Sequence, residues 1–191
     1  MTRRPIAMLA LLLPGLACAG WKPVDPSKPV GPGKADFSVL LPDGWLYDTS
    51  SNSLSASHDG IGLNQISIAI TAHKKAFKEA KKESTPKTTP EDLAEDYIAE
   101  LHAGPNALND LVVLSNEPAE LAGKPAFRLH LKYRAPQSAG GAQMESVTIG
   151  TALETGVMLA TYQAPSIHYF DRWIANFDTA AGSLSLSAPP K

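Results

Sequence analysis

The sequence predicts an α+β domain in which helices pack on the faces of an antiparallel sheet. Ile66, Ile68 and Ile70 alternate with polar residues, which is the period of a half-buried strand. Two amphipathic helical patterns, over residues 89–103 and 165–181, each follow a group of strand-like segments. The order of strands, helix, meander of strands, helix and strand is typical of helices on an antiparallel sheet.

The first strands lie before the first helix. The apolar run Phe37–Leu41 is a short strand that stops at the turn residues Pro42-Asp43-Gly44. Residues 54–58 alternate weakly and residues 64–71 alternate cleanly, so both segments are predicted as strands. Residues 73–87 are polar and rich in lysine.

The first helix carries its own start and stop signals. Thr89 is the expected N-cap, Pro90 stands at the first helical position, and Glu91 and Asp92 place acids in the first turn. Gly104-Pro105 ends the pattern.

The remaining elements follow in order. Strands are predicted over residues 111–119, 126–134, 144–153 and 157–163, with a hairpin between the last two. Pro165-Ser166 opens a second helix with Ile167, Phe170, Ile174 and Phe177 at helical spacing, and Gly182 ends it. Residues 183–187 form the closing strand.

Residues 1–19 have the pattern of a secretory signal peptide. Arg3 and Arg4 precede a short apolar run, Pro14-Gly15 interrupt it, and small residues follow. Ala17 and Ala19 fit a signal peptidase site, which would release a soluble protein starting at Gly20. Equally, Leu16 to Ala19 resembles a lipobox, in which Cys18 would be acylated and become the N-terminus. Both interpretations stay open, and both predict export to the periplasm, the second with anchoring to the outer membrane.

The expected mature chain has three parts. Residues 20–35 hold four Pro and two Gly in positions 21–34, which predicts an extended tether. Residues 36–187 form one domain, and residues 188–191 a disordered tail. Loss of residues 1–17 removes two Arg, so the net charge changes from −2 to about −4, which gives no basic field for nucleic acid.

The chain carries no recognisable catalytic pattern. Its five histidines form no metal-binding spacing and a single cysteine is present, so we expect neither a metal nor another cofactor. Ser57-His58-Asp59 is a triad in sequence only, because neighbours in a strand point to opposite faces. The least unfavourable residues for an envelope hydrolase are His130, His168 and Asp171.

Two sets of residues are candidates for binding. The first is a set of aromatic side chains that would line a groove between sheet and helix: Trp45, Tyr47, Tyr133, Tyr162 and Trp173. The second is a basic patch that would contact anionic headgroups or an acidic partner, with Phe77 as its apolar foot: Lys74, Lys75, Lys78, Lys81 and Lys82. A solvated loop or helix is the alternative for the lysines.

Three segments resemble the PsbP/DcrB-like group of envelope and thylakoid proteins. Residues 37–45, Phe-Ser-Val-Leu-Leu-Pro-Asp-Gly-Trp, are similar to its opening strand, and residues 121–128 to its hairpin. Residues 165–177 with Gly182-Ser183-Leu184 are similar to its closing helix and strand. The resemblance covers residues 36–187. It implies an α/β/α sandwich around an antiparallel sheet and no shared catalytic residues.

These observations predict a non-enzymatic protein of the cell envelope. It would bind a partner protein, or an apolar or glycan ligand, through a sheet–helix face, and touch the membrane through an N-terminal lipid. The alternatives are an envelope hydrolase with dispersed catalytic residues and a structural accessory subunit of an envelope complex.

Overall fold

A computed structural model describes residues 20–33, 37–50, 52–136 and 140–186. Its main feature is an eight-stranded antiparallel sheet with the order β1-β3-β4-β5-β9-β8-β7-β6, and the predicted α+β class is confirmed. The strands of this sheet are β1 (Lys22–Pro23), β3 (Leu46–Thr49), β4 (Ser53–Ser57), β5 (Gln65–Thr71), β6 (Asn109–Leu121), β7 (Lys124–Arg134), β8 (Gln143–Ala152) and β9 (Val157–Pro165). The four strands predicted between residues 111 and 163 are present as β6 to β9, with bounds that differ by at most two residues.

A second, two-stranded sheet joins the two ends of the domain. Strand β2 (Phe37–Ser38) pairs with β10 (Ser185–Leu186). We call this pairing the clasp between β2 and β10. The hydroxyl of Ser183 stabilises it further, since it accepts a hydrogen bond from the Leu40 amide at 2.9 Å. The helices are α1 (His73–Ala76), α2 (Pro90–Leu101) and α3 (Phe170–Gly182). Among the described residues, no helix is long and apolar enough to cross a membrane.

The larger core lies between one face of the sheet and α3. Ile66 and Ile68 of β5 are buried there, as their alternation predicts, and Phe177 of α3 is buried against them. The smaller core lies on the other face under α2, where Leu93 packs with Leu129 and Leu131 of β7. The amphipathic patterns therefore determine which face of each element is buried.

Helix α2 begins where its cap predicts. The Thr89 hydroxyl accepts a hydrogen bond from the Asp92 amide at 3.2 Å, and Pro90 is the first helical residue. The last helical residue is Leu101, two residues before residue 103, where the pattern that ends at Gly104-Pro105 predicted the end of the helix.

The segment predicted as a tether is instead part of the domain. Lys22 pairs with Tyr47, and the Val24 amide donates to the Trp45 carbonyl at 2.9 Å. Val30 and Val39 exchange two backbone hydrogen bonds of 2.8 and 2.9 Å. Proline removes N–H donors but is compatible with an edge strand, and this is the position of β1. The signal segment, residues 34–36 and the tail at 188–191 lie outside the described residues.

The closing helix starts later than predicted. Ser166 donates its amide to the Gln143 carbonyl at 2.9 Å, and His168 has a φ of 74°, so the chain turns before α3 begins at Phe170. Ile167 therefore lies outside the helix and is 82% exposed, although its spacing placed it on the buried face.

Candidate binding site around three tryptophans

The connection between β4 and β5 is organised around the side chain of Asn64, which is fully buried. Its Oδ1 accepts hydrogen bonds from the Ser57 hydroxyl and the His58 amide, both at 2.9 Å. Its Nδ2 donates to Asp59 Oδ2 at 2.9 Å. A buried amide group satisfied in this way fixes the conformation of the loop, because every alternative leaves polar atoms unpaired.

The Asp59 carboxylate joins this loop to α3. Trp173 Nε1 donates to Oδ2 at 2.7 Å, and His58 Nδ1 lies 2.8 Å from Oδ1. Burial would raise the pKa of Asp59, but the hydrogen bonds from His58 and Trp173 and the positive charge of Arg172 outweigh it, so the pKa lies below its ordinary value. Because an ionised carboxylate only accepts, His58 Nδ1 is the donor and, in the neutral ring, Nε2 is left as an acceptor.

Two of the chain's three tryptophans, Trp45 and Trp173, have rings close to His58, and the third lines the same cavity. The His58 ring is 4.2 Å from the Trp173 ring, centroid to centroid, and 6.2 Å from Trp45. Trp45 and Trp173 meet edge to face at 5.8 Å, and the Arg172 guanidinium lies 5.0 Å above Trp173. Trp21, which precedes β1, lines the same cavity as His58.

The cavity has a volume of about 230 Å³ and a mainly apolar wall. We call it the tryptophan pocket; its lining residues are Trp21, Leu46, Ser57, His58, Gly60 and Ile61. Leu46 is 45% exposed, Ile61 51%, and Leu63 of the same loop 37%. Trp21, Leu46 and Ile61 form the apolar rim of the pocket. Exposed apolar residues grouped around a concavity are typical of an interaction site.

The imidazole of His58 could act as a base, but the Ser57 hydroxyl beside it is not free to act as a nucleophile. The Ser57 hydroxyl donates to the Asn64 carbonyl at 2.7 Å and accepts from the Gly60 amide at 3.0 Å, so it is used in holding the loop. His58 and Asp59 do converge, contrary to the expectation that chain neighbours point apart. The reason is that β4 ends at Ser57 and the alternation of side chains ends with it.

The five aromatic residues predicted to line one groove do not do so. Trp45 and Tyr162 are buried in the core, and Tyr47 packs against it. The Tyr162 hydroxyl donates to the Tyr169 carbonyl at 2.9 Å and fixes the turn before α3. The Tyr133 hydroxyl donates to Gln163 at 3.2 Å on the opposite face, where burial raises its pKa to about 12. Only Trp45 and Trp173 belong to the site described above.

The lysines of the predicted basic patch are all exposed. Lys74 and Lys75 lie on α1, and Lys82 pairs with Asp96 at 3.5 Å. Phe77 is not an apolar foot for this patch, because it is fully buried against Leu93. Because hydrophobic burial holds Phe77 inside, the predicted patch loses its large apolar side chain.

The three candidate hydrolase residues have separate surroundings. His130 Nε2 lies 3.0 Å from Glu145 Oε2, and its ring stacks on Phe170 at 5.1 Å. His168 lies in the turn before α3, edge-on to Tyr169, so it does not share a helical face with Asp171. Within the described ranges, no three His, Cys, Asp or Glu side chains are grouped as a metal ion would need.

A second exposed surface lies at the far edge of the sheet. Among the described residues, strand β6 pairs with β7 alone, and two register shifts interrupt this pairing, after Asn109 and after Val113. Val112, Val113 and Leu114 are 52%, 44% and 47% exposed. Edge strands with unpaired backbone groups are sites where a further strand adds. The sequence did not distinguish β6 from a buried strand, since residues 111–114 form a continuous apolar run.

Comparison with known proteins shows which solved structures have a similar fold. Neither a protein-family model nor a curated protein sequence matches the chain. The solution structure of cyanobacterial PsbP from Synechocystis sp. PCC 6803 is similar, with a TM-score of 0.52 and 14% identity over 91% of this chain and 96% of that one. The Ran-binding protein Mog1p of Saccharomyces cerevisiae gives a TM-score of 0.54 and 9% identity over 83% and 94%.

A structure from Bacteroides thetaiotaomicron is also similar, with a TM-score of 0.49 and 10% identity over 85% of this chain. This chain spans 48% of that protein's length. At such low sequence identity, the similarity is evidence for the fold alone, and fold alone does not determine function. At the level of fold, the resemblance to the PsbP/DcrB-like group is confirmed. The chain therefore has the PsbP-like fold that its sequence motifs predict.

Proposed function

We propose that this protein is an exported, non-enzymatic binding protein of the cell envelope, whose tryptophan pocket receives an apolar group. The observation that carries the proposal is the distribution of side chains in the β4–β5 loop, which is the reverse of the usual one. Polar side chains such as Asn64 are buried within it, while Ile61 and Leu63 are exposed. Burial of apolar surface is the main favourable term in folding, so leaving these side chains outside indicates a second use for them.

The size of the pocket restricts its occupant. Pockets for whole small-molecule ligands have volumes of about 300–1,000 Å³, whereas this one has about 230 Å³. It therefore fits a single apolar group, such as a large side chain or the end of an acyl chain. A glycan fits less well, because it needs many hydrogen bonds and the Ser57 hydroxyl is already used within the loop.

Support for a binding role over catalysis comes from the same contacts. His58 stacks on Trp173 and is fixed by Asp59, so it is rigidly placed at the pocket wall. The hydroxyl next to it is not free for nucleophilic attack. Rigid aromatic side chains with one oriented polar group are typical of binding sites.

NMR titration with capped amino acids tests this proposal. N-acetyl-phenylalaninamide and N-acetyl-leucinamide should shift the indole N–H signal of Trp21, which Trp21→Phe assigns. N-acetyl-alaninamide and N-acetylglucosamine are the matched controls and should shift it much less. Ile61→Asp should weaken the phenylalanine response about tenfold, because it places a charge on the apolar wall. The same change at Ile167 should leave it intact. Equal responses to all four probes would contradict the proposal.

The exposed edge of β6 favours a second function, the binding of a partner protein by strand addition. The strand carries Asp110, Glu117 and Glu120 and no basic residue. Two antiparallel copies would therefore bring acids together, whereas a partner strand with lysine or arginine would be complementary. Val113→Lys and Leu114→Lys together should abolish co-purification of such a partner from native membranes, while Ile61→Asp should not.

A further inference from the structure

The apolar rim stands at the point where the chain leaves the domain toward its N-terminus. The backbone of Gly20 lies beside the Asp48 carboxylate, and Trp21 precedes the strand that pairs with β3. Gly20 and Trp21 therefore lie at the rim, as part of the domain surface. Cys18 stands two residues before Gly20, and two extended residues reach about 7 Å.

The distance between Cys18 and the rim is short because the segment predicted as a tether is part of the domain. A free segment of fourteen residues would have let the domain stand well away from whatever holds its N-terminus. Because Lys22 and Pro23 pair with β3, and Val30 pairs with Val39, the segment provides no such spacing. A group attached at Cys18 would hold the tryptophan pocket against the surface in which that group is inserted.

The composition of the rim fits a bilayer surface. Tryptophan is enriched at the boundary between headgroups and acyl chains, and exposed Leu and Ile add apolar area that the acyl region accepts. Charges near the rim are mixed in sign: Lys22 and Arg172 lie near Asp48 and Asp59. Contact here would depend on apolar burial more than on attraction to anionic lipids.

The exposed lysines lie at the other end of the same strand. Asn64 immediately precedes β5 and α1 follows it, and a strand of seven residues is about 23 Å long. A surface that touches the rim is therefore far from Lys74 and Lys75. The two ends do not serve as one membrane contact.

We infer that the apolar rim formed by Trp21, Leu46 and Ile61 is a membrane-docking surface, which seats the domain on the bilayer with the lysines directed away. The inference rests on the proposed function, in that the apolar group entering the tryptophan pocket is then a lipid acyl chain. Docking and an acylated Cys18 would act together, because the lipid would hold the domain at the bilayer and the rim would fix its orientation there.

Tryptophan fluorescence tests the inference directly, because the three tryptophans of the chain all surround this site. The protein is purified as the cell processes it and combined with phosphatidylcholine vesicles that contain 5-doxyl phosphatidylcholine. If mass spectrometry shows an acylated Cys18, the protein is reconstituted; otherwise it is mixed with the vesicles at high lipid concentration. The spin label should quench the tryptophan emission in either form, and more strongly in the acylated one.

Three variants identify the surface. Leu46→Asp with Ile61→Asp should reduce the quenching to about half or less, since charged side chains resist entry into the acyl region. Trp21→Phe should reduce it as well, because Trp45 is buried within the protein. Lys74→Glu with Lys75→Glu is the matched control and should leave it unchanged. Urea unfolding confirms that each variant is folded, and Trp21→Phe carries the test if the double variant is not.

The quenching results of the wild-type protein and the variants either support or overturn docking through the rim. Quenching that falls in the rim variants and persists in the lysine variant supports docking through the rim. Absence of quenching in the wild-type protein, or quenching lost only in the lysine variant, overturns the inference. If N-acetyl-phenylalaninamide binds the pocket but no quenching occurs, the proposed function stands and its membrane occupant is wrong. If neither occurs, both fail.

Discussion

The two ends of β5 are built in opposite ways. At its start, the loop of residues 58–64 turns the polar side chains of Asp59 and Asn64 inward and leaves Ile61 and Leu63 exposed. At its end, Phe77 is fully buried and the lysines around it are exposed. The second end follows the usual distribution, in which apolar groups are inside. The first end departs from it, and such departures are informative about function because they cost stability.

The largest expected effect is at the lysine end. Phe77→Ala should lower the free energy of unfolding by about 3–5 kcal/mol, because it removes a large buried side chain and leaves a cavity under α2. Urea unfolding followed by circular dichroism measures the change. Lys78→Ala is the matched control, and it should change the value by less than about 0.5 kcal/mol. A small effect of Phe77→Ala would mean that this end is not packed as described.

Asn64→Ala should have the next largest effect, about 2–3 kcal/mol in the same experiment. The substitution leaves the amides of His58 and Asp59 without their acceptor inside the loop and removes the amide group that donates to Asp59 Oδ2. The exposed Asn116 on β6 provides the control, since Asn116→Ala removes no buried hydrogen bond. Equal effects at the two positions would show that the polar interior of the loop does not stabilise it.

Asp59→Asn should lower the free energy of unfolding by about 1–2 kcal/mol at neutral pH, where a charged hydrogen-bonding group is lost. The pKa of Asp59 is lowered in the folded protein, so its carboxylate stabilises the fold above the ordinary value near 4. That contribution is lost as the pH falls through the lowered pKa. The difference between wild type and variant should therefore shrink below about pH 4. A difference that grows in acid would contradict this assignment.

Ile61→Asp should have the smallest effect on stability, less than about 1 kcal/mol, because the side chain is half exposed. Its expected effect is on binding to the tryptophan pocket. Measurement of both quantities in one variant separates the two roles, which Phe77→Ala cannot do. A large loss of stability would place Ile61 in the fold, and the contrast between the two ends would weaken.

Much of the fold could be predicted because its signals are local. The alternation of Ile66, Ile68 and Ile70 and the cap at Thr89 depend on neighbours in sequence, and both appear in the structure. The docking of Lys22 and Pro23 could not be predicted, since it depends on pairing with β3 across a distance in the chain. Likewise, Ser166 bonds to Gln143 and delays α3, which no helical pattern reveals.

The candidate site was predicted only in part. Trp45 and Trp173 were named as aromatic candidates, but Trp21 was assigned to the tether and His58 and Asp59 to a strand. The missing signal was the end of β4 at Ser57, beyond which side chains no longer alternate. A residue pattern such as His-Asp-Gly, with glycine as a turn residue, could have located that end.

The clasp between β2 and β10 has a consequence for how the protein is made. Strand β2 pairs with a strand more than 140 residues later, and α3, which covers the larger core, is among the last elements of the domain. The N-terminal half of the chain therefore cannot complete a stable core by itself, and closure of such long-range contacts is slow. For a polypeptide that crosses a membrane unfolded, as we propose for this one, the topology itself delays folding until the final residues have passed through.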